Sequence, residues 1–329
     1  MSGLRAELAE ALGALYPGAR HETLTGDASA RRFHRIFLAD GGTRVVMDYG
    51  SPFKVETDDV RLARVFLRAA LPVARVIEVL PEAGALVEQD LGDETLESAL
   101  AQLGAQASSA RDELYRSAVG LAADIATRGT EALSHSDRAS GPALDEERFS
   151  FEMRFFLEHY VGHFLGRSDV GPDLGDELEA LARATASHPR VLCHRDFHSR
   201  NIMVRGDRSL ALVDIQDARW GPDTYDLASL LRDAYVDLPD EAVDDLFALY
   251  TRRLARVDNV ETRARFELTS AQRMIKALGT FGYQVAVLGR DRYRSAIPRT
   301  IERLAKLLPG NTQTANLGET FRRARLFPL

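Results

Sequence analysis

The chain is nearly without cysteine and nearly without lysine. Cys193 is the single cysteine among 329 residues, so neither a disulfide within the chain nor a thiolate metal cluster can form. Only Lys54, Lys276 and Lys306 are lysines, which makes 39 of the 42 basic side chains arginines. Amine chemistry therefore has three candidates, because arginine keeps its proton at any physiological pH. Positive charge is not in excess: 49 acids against 42 bases leave a formal charge of −7. That balance argues against a nucleic-acid partner. No run approaches the ~18 apolar residues of a membrane-crossing helix. Glu7 and Glu10 interrupt the apolar core that a signal peptide would need. The expectation is a soluble cytoplasmic protein that engages neither membrane nor nucleic acid.

What is present is a foldable, two-part chain. With 45% hydrophobic and 28% charged residues it can bury a core, and its length favours two lobes. Leu4, Leu8, Leu12 and Leu15 form a one-sided helical stripe that ends near Pro17-Gly18. FHRIFLAD and TRVVMDYG, across Gly41-Gly42, read as two strands joined by a tight turn. Thr57-Asp58-Asp59 then opens a helix through Val60, Ala63, Leu67 and Ala70. ARVIEVL and ALVEQDLG form a second strand pair around Pro81-Glu82-Ala83-Gly84. From Thr95 onward helical periodicity dominates, over 110–128, 144–165, 226–237, 240–254, 262–278 and 295–307. It is broken at 191–217 by VLCHRDF, NIMVRG and LALVDIQDA, the last two turning at Gly206-Asp207. The polar stretch 131–143 reads as a flexible insertion. The boundary falls near residue 91: a β-rich lobe over 1–91 and a mainly helical lobe over 92–329.

The chemistry sits in the interrupted segment. HRDFHSRN (194–201) fits the kinase catalytic-loop pattern His-Arg-Asp-x-x-x-x-Asn, with Phe197 where leucine is usual. Phosphoryl transfer needs a carboxylate to orient the acceptor hydroxyl and receive its proton, and an amide oxygen on a magnesium ion nearby. Asp214, 13 residues after Asn201, ends the apolar run LALV. A carboxylate there can ligate the same hard cation. His194 and His198 could share zinc only on a helix, and this segment leaves a strand and continues as a loop. Cys193 lies in the apolar VLC run and reads as core.

These residues resemble the aminoglycoside phosphotransferase and choline kinase superfamily. The matching segments are HRDFHSRN, VDIQDA (213–218) and YDLASLLRD (225–233). GDASARRFHRI (26–36), VVMDYGSP (45–52), VEQDLGDETL (87–96), DIQDARWGPDTYDLASLLRDAY (214–235) and QRMIKALGTFGY (272–283) are similar to the branch of anomeric N-acetylmuramate/N-acetylglucosamine 1-kinases of cell-wall recycling. The resemblance implies an α+β, bilobal protein-kinase-like fold, with a small β-rich N-lobe and a larger helical C-lobe. It implies ATP and Mg²⁺, an amino-sugar acceptor and a role in peptidoglycan recycling. Asp196 would be the catalytic base, with Asn201 and Asp214 as metal ligands. Backbone groups at Glu88, Gln89, Asp90 and Leu91 would form the inter-lobe hinge that holds the nucleotide base, while Asp226 and His194 would support the catalytic loop. Segment 26–36, with Ser29, would cover the phosphates. Gln216, Asp217, Arg219, Arg232 and Arg273 are the substrate-binding candidates, since a lactyl carboxylate suits an arginine fork. Tyr225, Phe281 and Tyr283 read as helical core rather than a sugar platform. A monomer is the expectation.

Two departures stand out. No G-x-G-x-x-G is present, and Met47-Asp48 stand where many kinases carry a phosphate-binding lysine. Lys54 lies beyond Pro52, past the strand. Arg31 or Arg32 is expected to supply the missing charge. Alternative readings are an aminoglycoside or choline-type acceptor, a nucleotide-binding pseudokinase without turnover, and a metal-dependent hydrolase built on His194, His198 and Asp196.

Overall fold

The computed structural model describes residues 3–24, 31–54, 56–104, 108–136, 138–171, 173–255 and 260–327. The chain opens with α1 (Ala6–Leu15), β1 (Arg20–Leu24), β2 (Arg32–Phe37), β3 (Thr43–Asp48), α2 (Asp58–Arg68), β4 (Val76–Leu80) and β5 (Ala85–Gln89). Helices α3 (Leu96–Leu103), α4 (Ser108–Asp124), α5 (Thr130–Ser134), α6 (Glu146–Phe156) and α7 (Asp173–Ala186) follow. Four short strands come next: β6 (Arg190–Cys193), β7 (Ile202–Val204), β8 (Leu210–Leu212) and β9 (Arg219–Pro222). The chain closes with α8 (Tyr225–Leu231), α9 (Asp240–Arg253), α10 (Val260–Gly282), α11 (Ala296–Leu307) and α12 (Ala315–Arg323). Among the described residues no helix is long and apolar enough to cross a membrane.

Two compact units result: residues 1–95 with 202–216, and residues 96–201 with 217–329. The first is an antiparallel sheet of order β1-β2-β3-β5-β4. Strand alternation gives the sheet two apolar faces. Ile36, Val46 and Val87 meet Leu8 and Leu12 of α1, while Met47 and Leu86 point the other way onto Val60 of α2. Burying each such leucine is worth about 1.5–3 kcal/mol, so a helix of only ten residues is held by the sheet rather than by its own propensity. Asp48, next to the missing lysine position, anchors α1: Arg5 Nη2 donates to its Oδ1 at 2.7 Å.

The expectation of one cut near residue 91 left the β7–β8 hairpin with the helices. In the structure it packs with the first unit. The Leu212 N–H donates to the Pro72 carbonyl at 2.7 Å, and the Val204 N–H to the Glu94 carbonyl at 2.8 Å. Three-residue strands cannot satisfy their own backbone groups, so they borrow partners from the chain beside them.

The second unit is helical around α10. Asp145 caps α6 by accepting the Arg148 N–H at 2.9 Å, and Glu146 and Glu147 favour the same end. Gly279 lets α10 touch α6, since a Cβ there would lie 2.9 Å from the Phe156 Cα. β6 and β9 pair antiparallel, Cys193 opposite Arg219, and Cys193 is buried as expected for core. Of the polar stretch 131–143, residue 137 lies outside the described residues; α5 covers its start, and Trp220 Nε1 donates to the Ala139 carbonyl at 2.8 Å.

Candidate active site

The catalytic-loop string begins where β6 ends. Arg195 takes φ +83°, a left-handed backbone that residues other than glycine seldom adopt, and two buried carboxylates hold that shape. Asp226, at the start of α8, accepts the His194 N–H at 2.6 Å and the Arg195 N–H at 3.1 Å. Burial raises the Asp226 pKa. Asp233 accepts the Ser199 N–H at 2.8 Å and the Tyr235 N–H at 2.9 Å. Within the loop, Asn201 Nδ2 donates to the Asp196 carbonyl at 3.0 Å. The amide oxygen is therefore the end of Asn201 that suits a hard cation.

Asp196 lies against α10. Lys276 Nζ donates to its Oδ1 at 3.2 Å, and Arg273 Nη2 stands 3.7 Å from the same oxygen. Burial alone would lift the Asp196 pKa; Lys276, Arg273 and Arg195 outweigh it and hold the carboxylate well below its ordinary value. Arg273 is itself fixed: Nη1 donates to the Tyr225 hydroxyl at 2.7 Å and the guanidinium lies 4.6 Å from that ring's centre. Arg195 and Arg219 both pair with Asp217 Oδ1, at 2.9 and 2.7 Å. Tyr225 and Phe281 are buried core residues.

In the first unit, Asp214 takes φ +63°, is exposed, and accepts from Gln216 Nε2 at 2.7 Å. Arg31 reaches Met47 itself. Its Nη1 lies 3.4 Å from the Met47 sulfur and 2.9 Å from Asp59 Oδ1 of α2, with the guanidinium 5.1 Å from the Tyr49 ring centre. The Tyr49 hydroxyl donates to the other Asp59 oxygen at 2.5 Å. Half-buried Glu88 has its pKa pushed up to about 7, by burial first and by Asp59 second. Asp90 is gripped by Arg35, Nε to Oδ2 at 2.6 Å. Gln89 donates its N–H to the Arg75 carbonyl at 2.8 Å, and Leu91 is half-buried.

The structure thus gathers Asp196, Asn201, His194, Asp226 and Arg273 around one loop, and Asp217 with Arg219 beside its Arg195. Two candidates stand apart. Arg232 pairs with Asp240 of α9 at 2.9 Å, and Arg32 is exposed on β2. Ser29 lies outside the described residues. Sequence reasoning missed Lys276, Asp233 and Asp59. The scarcity of lysine was a usable signal for Lys276, which lies inside QRMIKALGTFGY, and Asp233 closes the segment YDLASLLRD.

A family model described as the phosphotransferase enzyme family matches residues 20–265. The chain belongs to that family. Two curated relatives are named N-acetylmuramate/N-acetylglucosamine kinase. The one from Neisseria meningitidis serogroup B is 30% identical, over 85% of this chain and 83% of its own length. The one from Pseudomonas aeruginosa is 30% identical, over 90% of this chain and 86% of its own. Among solved structures, a choline kinase from Streptococcus pneumoniae superposes with a TM-score of 0.59 at 14% identity, covering 91% of this chain and 98% of that one. This likeness shows the fold, the expected α+β protein-kinase-like one. As a phosphotransferase the protein is an enzyme that moves phosphoryl groups.

Proposed function

We propose that the protein is an ATP-dependent kinase that phosphorylates the anomeric hydroxyl of N-acetylmuramate, N-acetylglucosamine or both, yielding the sugar 1-phosphate and ADP. The observation that carries this reading is the Asp196 carboxylate: ionised by Lys276 and Arg273, and presented by a loop that two buried aspartates hold. Such a group can accept a hydroxyl's hydrogen bond and take its proton as the O–P bond forms. The acceptor class comes from the relatives' names and from the charge around the base. Lys276, Arg273, Arg195 and Arg219 crowd this region. A neutral or anionic sugar is therefore favoured there over an aminoglycoside polycation.

Asn201 and Asp214 are the residues we assign to magnesium. Both offer oxygen, the donor a hard cation takes. Bound there, the metal would neutralise charge on the transferring phosphate. Arg31, set on Met47 and paired with Asp59, supplies the positive charge of the absent lysine. This weighs against a pseudokinase. Asp217 with Arg219, and Gln216, remain the proposed sugar contacts. The reading implies a cytoplasmic enzyme that returns recovered cell-wall sugars to use.

The test is an acceptor panel. Protein, ATP and Mg²⁺ are incubated with N-acetylmuramate, N-acetylglucosamine, an aminoglycoside and choline, and ADP release is followed. Release that depends on the amino sugars supports the reading; release only with the aminoglycoside or choline overturns it.

A further inference from the structure

Lys54 and Lys306 are exposed, whereas Lys276 is turned into the protein with a fifth of its side chain accessible. It lies three residues after Arg273 on α10, so both side chains leave one face of the helix. Both approach the same oxygen of Asp196, Lys276 at 3.2 Å and Arg273 at 3.7 Å. Arg273 is already engaged by the Tyr225 hydroxyl and ring. Lys276 is not engaged in this way. An ammonium carries three donors, and among the described residues Lys276 spends one, on Asp196. With a fifth of the side chain still accessible, its other two N–H groups remain available to a bound acceptor. Asp196 Oδ2 likewise takes no bond from a described residue, which leaves that oxygen for the acceptor hydroxyl.

We propose that Lys276 is a catalytic residue whose ammonium bonds the phosphoryl group as it passes from ATP to the acceptor, while keeping its bond to Asp196. This rests on the kinase reading above. A hydroxyl bound to Asp196 sits ~2.6–3.2 Å from the carboxylate, and the attacked phosphorus stands ~3–3.5 Å beyond it. Those spans bring the phosphoryl oxygens within reach of an ammonium that touches the same carboxylate. In the step, the acceptor oxygen forms its bond to phosphorus and its proton passes to Asp196. The bond from phosphorus to the bridging oxygen breaks, and that electron pair leaves on ADP. Lys276 keeps its proton throughout, and its two remaining N–H groups meet the charge spread over the equatorial phosphoryl oxygens. Sequence spacing could not show this, because 80 residues separate Lys276 from Asp196.

The experiment compares wild type, Lys276→Met and Lys276→Arg, with folding checked by thermal melting. The expectation is a ~10²–10³-fold loss of kcat in Lys276→Met, a removed transition-state donor. The KM for ATP should stay within about threefold, and Lys276→Arg should recover part of the rate. A second arm needs no turnover. The three lysines are acetylated with acetic anhydride and read by mass spectrometry, with ADP and Mg²⁺ alone or with added aluminium fluoride as the phosphoryl mimic. Protection of Lys276 by the fluoride complex, with Lys54 and Lys306 unchanged, supports the contact. Unchanged kcat in Lys276→Met overturns the proposal. So does lost kcat without protection, which would mean that Lys276 only holds Asp196. If wild type phosphorylates no amino sugar, the sugar-kinase reading fails, and the acetylation arm still decides Lys276.

Discussion

Arg31 Nη1 lies 2.9 Å from Asp59 Oδ1, and the same nitrogen rests against the sulfur of Met47. A cation from β2's entry thus pairs with an acid of α2 at the strand position where many kinases have lysine. Tyr49 steadies both partners, its hydroxyl on Asp59 and its ring under the guanidinium.

Arg31→Ala is expected to raise the KM for ATP by ~10–100-fold, the worth of a charge-assisted phosphate contact. Asp59→Asn should do the same more weakly, because it acts through Arg31. Arg32→Ala, on an exposed side chain, should leave the KM near wild type. Steady-state kinetics at saturating acceptor checks all three; an unchanged KM in Arg31→Ala removes this arginine from the phosphate site.

Asp226→Asn and Asp233→Asn should each destabilise the protein by about 1–3 kcal/mol and lower kcat. Each carboxylate accepts two backbone N–H groups, and an amide confronts one of them with a donor. Denaturant unfolding with parallel kinetics is the measurement. Wild-type stability in both variants would mean that the loop is held by other contacts.

Glu88 sets a pH dependence. Its folded pKa, about 7, lies above the ordinary carboxyl value, so the fold binds this proton more tightly than the unfolded chain does. The resulting stabilisation is complete below pH ~4.5 and is lost as pH rises through about 7. Arg31 opposes the shift and Asp59 supports it. Glu88→Gln should melt at a higher temperature than wild type at alkaline pH, with a flatter slope of Tm between about pH 5 and 8. Parallel slopes in the two proteins would count against a raised Glu88.

Local pattern and distant packing explain what the sequence could reveal. The β2–β3 and β4–β5 pairs were legible from Gly41-Gly42 and from Pro81-Glu82-Ala83-Gly84, because turn chemistry is local. HRDFHSRN was legible as a pattern because its spacing is local, and Asp196 and Asn201 do share one loop, joined by the Asn201 Nδ2 bond to the Asp196 carbonyl. β1 was missed: Arg-His-Glu-Thr-Leu is an edge strand, exposed along nearly its whole length, with no apolar alternation to betray it. β9 was missed because Arg-Trp-Gly-Pro reads as a turn until β6 pairs with it. Arg232 was placed with the substrate residues by its segment, but its guanidinium pairs with Asp240. Lys276 was passed over because its bond to Asp196 depends on how α10 packs against the loop.

The most direct measurement of the central claim is ³¹P NMR of the product formed from ATP, Mg²⁺ and N-acetylmuramate or N-acetylglucosamine, by wild type and by Asp196→Asn. The account predicts ADP and a phosphate coupled to the anomeric proton from wild type. In Asp196→Asn that signal should fall by ~10²–10⁴-fold, the contribution of a positioned base, with nucleotide binding retained. A phosphate on any other carbon, an undiminished signal from Asp196→Asn, or no ATP-dependent sugar phosphate at all would contradict it.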